Sequence, residues 1–212
     1  GVRSRAAAAS VFSAELGAAY QARLRGARAE LPPAESPLVF AEQEHQRAEG
    51  PEGQAALEYW SQTLKDPPAQ LMLGDRTPAT PRPYGADTVR TRIDADALAR
   101  LRVAARERGA TLFHLLLTAV TVLLRKRSGQ PDFVVSIPYA SQNLGRHGPL
   151  MADGVLDLPL RLACEPQETG TAVLSRIRSQ MMDALESPLV TQGSVARALG
   201  VRAGSVRGRD RM

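Results

Sequence analysis

The sequence predicts an α/β fold, and three features of its second half indicate this class. An apolar run from Leu112 to Leu124 is opened by a capping threonine, Thr111, and is followed by a strand pattern rich in valine and isoleucine, Asp132 to Pro138. A second alternating stretch, Gly154 to Leu162, precedes an amphipathic helix from Thr171 to Ser187. Helices and strands in this order are typical of a sheet that is covered by helices.

The run from Leu112 to Leu124 is apolar around most of its helical circumference. We therefore expect this helix and the strand after it to form the core on which the other elements pack. The cations Arg125 to Arg127 complement the negative end of the helix dipole, and Gly129 supplies the stop.

The first 66 residues are predicted to be helical. One helix runs from about Ala7 to Arg25, a weaker one covers Leu38 to Ala48, and Pro51 begins a third. Two of these helices carry apolar side chains at helical spacing: Phe12, Leu16, Ala19 and Tyr20 in the first, and Leu57, Trp60 and Leu64 in the third. We expect Trp60, the only tryptophan, to be buried in the core rather than to stack on a ligand.

Residues 67–85 are rich in proline and are predicted to be a linker between two regions. Residues 86–200 follow as a second lobe with the order strand, helix, helix, strand, strand, helix. Thr88 to Ile93 is its predicted half-buried first strand, and Asp94 or Asp96 caps the next helix, which ends at Gly109. Residues 201–212 form a basic tail.

Composition limits the function classes. The net charge of +5 comes almost entirely from arginines that are mixed with acidic residues along the chain, so we do not interpret it as a nucleic-acid-binding face. The single cysteine, Cys164, excludes an internal disulfide. No signal peptide is recognisable, and the longest apolar run is shorter than the roughly 20 residues that span a bilayer. We expect a cytoplasmic protein with no membrane partner.

Four ordered blocks carry a family resemblance: ELGAAYQARLRG, from Glu15 to Gly26; ALEYWSQTLKDPP, running into LMLGDRTPATPRP; GATLFHLLLTAVTVLLRKRSGQPDFVVSIPYA, from Gly109 to Ala140; and GVLDLPLRL, from Gly154 to Leu162. With this order and spacing, roughly residues 10–190 resemble a condensation domain of nonribosomal peptide synthetases.

The resemblance implies a chloramphenicol-acetyltransferase-like fold with two lobes. Such domains join an acyl or peptidyl thioester on one carrier protein to an amine, or sometimes a hydroxyl, on the next. The expected partners are peptidyl or acyl carrier proteins and neighbouring synthetase domains. No cofactor is expected to bind directly, because both substrates arrive on the phosphopantetheine arms of the carrier proteins, where orientation of the tethered reactants drives the reaction.

The HHxxxDG motif of the family is absent from these 212 residues, as are the C-terminal strands. We therefore expect the end of the first lobe, the linker and the first half of the second lobe, inactive as a fragment. The family pattern also changes at three places: Leu156 replaces a frequent asparagine, Gln142 a frequent arginine, and Ser187 to Leu189 a histidine-containing motif.

No residue is predicted to be catalytic, to bind a cofactor or to ligate a metal. His147 lies in HGPLMADG, but it stands six residues before Asp153, where the motif requires four and five, and Pro149 fills the second histidine position. His45 is predicted to be a solvated surface residue, and His114 a half-buried residue with satisfied hydrogen bonds.

Two other functions remain open. Residues 192–209 match a helix-turn-helix, with Ala196, Gly200 and Val206 at the required positions and Arg207 and Arg209 available to a DNA groove. Alternatively, the chain is a non-catalytic module that binds carrier proteins.

Overall fold

The computed structural model describes residues 2–73, 87–140, 150, 155–187 and 192–198, with side chains from residue 10 onward except at residues 140 and 192. These residues form seven helices and two strands, which confirms the predicted α/β class. In chain order the elements are α1 (Val2–Leu24), α2 (Pro37–Glu49), α3 (Pro51–Thr63), α4 (Ala95–Glu107), α5 (Leu112–Ser128), β1 (Asp132–Ala140), β2 (Val155–Ala163), α6 (Gly170–Glu186) and α7 (Gln192–Ala198).

Helix ends follow the predicted capping residues. The Asp94 side chain accepts a 2.7 Å hydrogen bond from the Ala97 backbone N–H at the start of α4. Thr111 caps α5, and Gly129 ends it in the left-handed conformation, with φ of 72°. Glycine adopts this conformation without the steric cost that other residues meet, so the stop after α5 is built into the sequence.

The two strands form one antiparallel pair. The backbone N–H of Cys164, just after β2, donates a 2.7 Å hydrogen bond to the carbonyl of Pro131, just before β1. Leu158, Leu160 and Leu162 are buried on one face of β2, as their alternation predicted.

The described chain divides into two compact units. Unit 1 comprises residues 1–65, 136–159 and 184–212, and unit 2 comprises residues 66–135 and 160–183, each as far as it is described. The division falls within β1, β2 and α6, so each unit receives part of the sheet. The four regions read from the sequence, 1–66, 67–85, 86–200 and 201–212, stay a prediction.

Unit 1 is built around Trp60, which is fully buried as predicted. Its indole ring meets Tyr59 edge-on, with ring centroids 5.0 Å apart. A tight corner joins α2 and α3, where a side chain on Gly53 would come within 1.9 Å of the backbone oxygen of Ala48. The other buried apolar residues of this unit are Ala22, Phe40, Ala56, Leu64, Leu150, Leu158, Ala184 and Val195.

The buried residues of unit 2 lie on its helices and strands. On α6, Val173, Ile177 and Met181 are buried at four-residue spacing, as predicted, and Leu185 is only half-buried. Phe133 of β1 is fully buried as well. On α5 the buried residues are Leu117 and two threonines, Thr118 and Thr121, whose hydroxyls donate to the carbonyls of His114 and Leu117.

Two predictions about packing were wrong. Thr88 to Ile93 is not a strand: residues 87–94 lack regular structure and are exposed, because a strand needs a neighbour for its backbone groups and none of the described residues provides one. The central helix α5 is not buried all round. On α1, Phe12, Leu16 and Tyr20 share a face as predicted, and all three are more than half exposed.

No single helix in the described ranges is long and apolar enough to cross a membrane. Only α4 and α5 taken together meet the length and hydropathy criteria, and they are bent by 97° at the break between them.

Candidate functional site

The polar residues of unit 2 collect on the sheet and on α6. Asp132 of β1 and Arg161 of β2 form a two-pronged ion pair, in which the Arg161 Nε lies 3.0 Å and Nη2 lies 2.7 Å from Asp132 Oδ2. Both side chains are about one-third exposed. The hydrogen bond to Asp132 raises the pKa of Arg161, so this cation is permanent.

Side chains of α6 occupy the outer edge of β2. Gln180 Nε2 donates 2.9 Å to the carbonyl of Arg161, and Arg176 Nη2 donates 2.9 Å to the carbonyl of Ala163. The backbone N–H and C=O groups of successive residues in a strand point alternately to its two sides, and the Cys164 N–H points toward β1. The carbonyls of Ala163 and Arg161, one and three residues earlier, therefore point away from β1. The two side chains, four residues apart on α6, therefore bond two carbonyls at the end of β2 that a further strand would otherwise use.

The same arginine holds an acidic partner. Arg176 Nη2 lies 2.6 Å from Glu168 Oε1, and this hydrogen bond lowers the pKa of Glu168 below its usual value of 4.5. Two buried polar atoms of this cluster, Arg176 Nε and Gln180 Oε1, have no hydrogen-bond partner in the described part of the chain. The cluster thus links α6 to β2 through side-chain hydrogen bonds. Its acidic member, Glu168, is ionised at neutral pH.

His114 belongs to the cap of α5. Its backbone N–H donates 3.2 Å to Thr111 Oγ1, and its Nδ1 accepts a 3.4 Å hydrogen bond from the Thr111 N–H, which makes a reciprocal capping box. Burial, together with the nearby charge of Arg178, lowers the pKa of His114 below 6.5. The prediction of a half-buried, hydrogen-bonded histidine is confirmed.

His45 is exposed on α2, with its Nε2 3.4 Å from Glu49 Oε1. Neither described histidine lies beside a serine or cysteine in a nucleophile–base pair. The described residues also contain no group of three side chains arranged to hold a metal ion.

Two open clefts lie in unit 1, and neither has a histidine or cysteine in its described lining. The more apolar one is formed by α1 and the segment after it; its lining residues are Ser10, Val11, Ala14, Glu15, Ala18, Glu30, Leu31 and Pro32. The other lies at the α2–α3 corner and is lined by Gln43, Gln46, Arg47, Gly50, Pro51 and Glu52.

Several predicted positions lie outside the described residues. His147, Gln142, Pro188 and Leu189 are among them, as are residues 199–212, which carry most of the proposed helix-turn-helix. The first helix of the proposed helix-turn-helix corresponds to α7, in which Val195 is buried. Leu156, the family departure in β2, is half-buried.

The comparison with known proteins identifies the family. The family model described as Condensation domain matches residues 6–202. The chain belongs to the condensation-domain family, the class that the four sequence blocks predicted.

The sequence relatives include a surfactin synthase and a bacitracin synthase. The chain is 32% identical over 143 residues to surfactin synthase subunit 1 of Bacillus subtilis (strain 168), and the matched segment covers 67% of this chain and 4% of that protein. It is 31% identical over 180 residues to bacitracin synthase 1 of Bacillus licheniformis, covering 84% of the chain and 3% of that protein. The chain therefore spans a small part of each relative.

Solved structures share the fold. The first condensation domain of the calcium-dependent antibiotic synthetase, in complex with a substrate analogue, superposes with a TM-score of 0.75 at 22% identity, over 92% of this chain and 43% of that one. The X-domain from teicoplanin biosynthesis superposes with a TM-score of 0.76 at 22% identity, over 93% of this chain and 45% of the X-domain chain. The predicted chloramphenicol-acetyltransferase-like architecture is confirmed, and the matched segment is less than half of each solved chain.

Proposed function

We propose that this chain is the scaffold portion of a condensation domain that joins a carrier-protein-bound acyl or peptidyl thioester to an acceptor amine or hydroxyl. The observation that carries the proposal is the family match over residues 6–202. The partners would be carrier proteins with phosphopantetheine arms and the neighbouring synthetase domains, in the cytoplasm.

The described residues support a role in positioning rather than in proton transfer. The hydrogen bonds of His114 are used within the α5 cap, and His45 is exposed beside Glu49. Condensation of two tethered substrates depends mainly on their orientation, which a rigid sheet and its helices can provide. The histidines of the HHxxxDG motif would have to come from residues outside these 212.

The test is reconstitution with a defined complement. The condensation domain of bacitracin synthase 1 would be produced with its 180 matched residues replaced by a flexible linker and mixed with this chain and two loaded carrier proteins. We expect condensed product, detected by mass spectrometry, only when both polypeptides are present. Product from the chain alone, or none from the mixture, would contradict the proposal.

A second candidate is a non-catalytic module that binds a partner protein. It is favoured by the X-domain from teicoplanin biosynthesis, which has this fold and was solved in complex with OxyB, with a TM-score of 0.77 to the present chain at 23% identity. Leu156, in place of the frequent asparagine, fits this alternative. Binding of a loaded carrier protein without turnover in the reconstituted mixture would support it.

The helix-turn-helix hypothesis stays a prediction. The family match reaches residue 202 and so includes α7, which supports the condensation-domain interpretation of this segment. Duplex binding that weakens with salt and is lost in the Arg207→Ala, Arg209→Ala variant would instead support DNA binding.

A further inference from the structure

The side chain of Gln130 binds the backbone of a segment 58–61 residues earlier in the chain. Its Oε1 accepts a 3.0 Å hydrogen bond from the backbone N–H of Met72, and its Nε2 lies 3.3 Å from the carbonyl oxygens of both Ala69 and Gln70. A primary amide can make all three bonds, because it carries two N–H donors and an acceptor oxygen. Residues 66–73, here called the strap, thus contact the turn after α5 within unit 2.

The backbone of Gln130 is fixed by its neighbours. Gly129 has a φ of 72°, and Ser128 Oγ accepts a 3.1 Å hydrogen bond from the Gln130 backbone N–H. On the other side Pro131 restricts both its own φ and the conformation of the residue before it. A group whose position is already fixed loses less conformational entropy when it binds. Gln130 is therefore preorganised to hold the strap.

Few other contacts hold the strap. Ala69, Gln70, Met72 and Leu73 are exposed, and Leu71 is half-buried. Within the described ranges, the hydrogen bonds of the backbone of residues 69–72 run to the one glutamine side chain. A segment that buries little apolar surface and whose backbone hydrogen bonds are exposed to solvent has a low local stability.

The start of the strap is strained. Asp66 has a φ of 49°, in the left-handed region that residues other than glycine rarely adopt, and it precedes Pro67, which disfavours helical backbone at that position. The pKa of Arg161 is raised first by its hydrogen bond to Asp132 and further by nearby charges, among them that of Asp66. The strain favours release of the strap, whereas this attraction and the bonds to Gln130 favour its attachment.

We propose that Gln130 is a clasp that fastens the strap to unit 2, and that the clasp opens and closes while the core of this unit stays folded. Opening would release residues 66–73, and each released residue adds about 3.3–3.6 Å to the reach of the connecting chain. The first part of the predicted linker is then attached chain in one state and a tether in the other. The clasp is a property of unit 2 alone and does not depend on the reaction proposed for the parent domain.

Amide hydrogen exchange of the full chain tests the clasp. In the unaltered chain the Met72 N–H should exchange at least about tenfold more slowly than in an unstructured peptide, because it is bonded to Gln130 Oε1. Gln130→Met keeps the length of the side chain and removes its donors and acceptor, so Met72 should then exchange within about twofold of the unstructured rate. Gln70→Met is the matched control, because it makes the same change on an exposed strap side chain and keeps the backbone carbonyl.

The urea dependence of exchange shows whether the clasp opens on its own. The backbone N–H of Leu117, within α5, reports on the core of unit 2. Low urea concentrations should accelerate the exchange of Leu117 and leave that of Met72 nearly unchanged, because a local opening exposes little surface.

Three results would overturn the clasp: exchange of Met72 at the unstructured rate in the unaltered chain, equal protection of Met72 in the Gln130→Met variant and the unaltered chain, or equal loss of protection in the Gln70→Met control. Exchange of Met72 that matches Leu117 in both rate and urea dependence would overturn the independent opening. Gln130→Ala also removes the amide, and it takes the place of Gln130→Met if the latter changes the circular dichroism of the chain.

Discussion

The indole nitrogen of Trp60 donates a 2.7 Å hydrogen bond to the backbone carbonyl of Ser187, 127 residues further along the chain. The bond joins the end of α3 to the residue after α6, within unit 1. Because Trp60 is fully buried and is the only tryptophan, its fluorescence reports directly on this connection.

Trp60→Phe should destabilise unit 1 by about 1–3 kcal/mol through the unpaired carbonyl alone, with a further cost from the lost ring volume. Urea unfolding followed by circular dichroism measures this loss. Ser187→Ala is the matched control, since it keeps the backbone carbonyl and should leave the stability nearly unchanged. Equal stability of Trp60→Phe and the unaltered chain would show that the bond contributes nothing.

Gly53→Ala should be more damaging than its single added methyl group suggests. The new Cβ would lie 1.9 Å from the oxygen and 2.4 Å from the carbonyl carbon of Ala48, and a backbone clash cannot be relieved by rotating a side chain. We expect a loss of about 3 kcal/mol or more in the free energy of unfolding. Gln54→Ala, at the exposed neighbouring position, should cost little; a stable Gly53→Ala variant would refute the corner geometry.

Substitutions of Thr121 can compare what its hydroxyl and its methyl group each contribute to stability. Its hydroxyl is satisfied only by the Leu117 carbonyl of its own helix, so Thr121→Val leaves no buried donor unpaired and should change stability by less than about 1 kcal/mol. Thr121→Ser keeps the hydroxyl but loses a fully buried methyl group, which costs about 1 kcal/mol. Chemical denaturation ranks the two variants, and serine ranking above valine would contradict this assignment.

His114 makes stability depend on pH. Its pKa is lowered in the folded chain from the usual 6.5, so below that pH the unfolded chain binds more protons than the folded one. Stability contributed by the neutral imidazole is therefore present above about pH 6.5 and is lost as the pH falls toward the lower folded pKa. Protonation also removes the Nδ1 acceptor of the α5 cap.

The urea midpoint, measured between about pH 7.5 and 5, should fall more steeply for the unaltered chain than for His114→Gln. Glutamine is a suitable replacement, because it can complete a capping box at the same position. His45→Gln controls for the loss of an exposed imidazole. Identical slopes for the unaltered chain and H114Q would remove His114 as the source.

Local signals made most of the fold predictable. Asp94, Thr111 and Gly129 fix helix ends through their own backbone and side-chain geometry, so the bounds of α4 and α5 could be predicted closely. Thr88 to Ile93 could not, because a strand depends on a partner elsewhere in the chain, whereas a helix satisfies its own backbone. Which side chains of α5 are exposed, among them Phe113 and Leu116, likewise depends on neighbours that no local pattern encodes.

The candidate site was predictable only in part. That His114 is half-buried and bonded could be inferred from its place in an apolar helix, but its role in the cap requires the side-chain geometry. Arg176 and Gln180 were missed, because their function depends on how α6 lies along β2. Their spacing of four residues beside the buried face of α6 was the only available signal.

The occupied edge of β2 limits how chains can associate. Since Arg176 and Gln180 already bond the carbonyls of Ala163 and Arg161, a strand that arrives at this end of β2 would have to displace both side chains. Strand-to-strand association at this end of the sheet is therefore opposed by two hydrogen bonds that would have to break first.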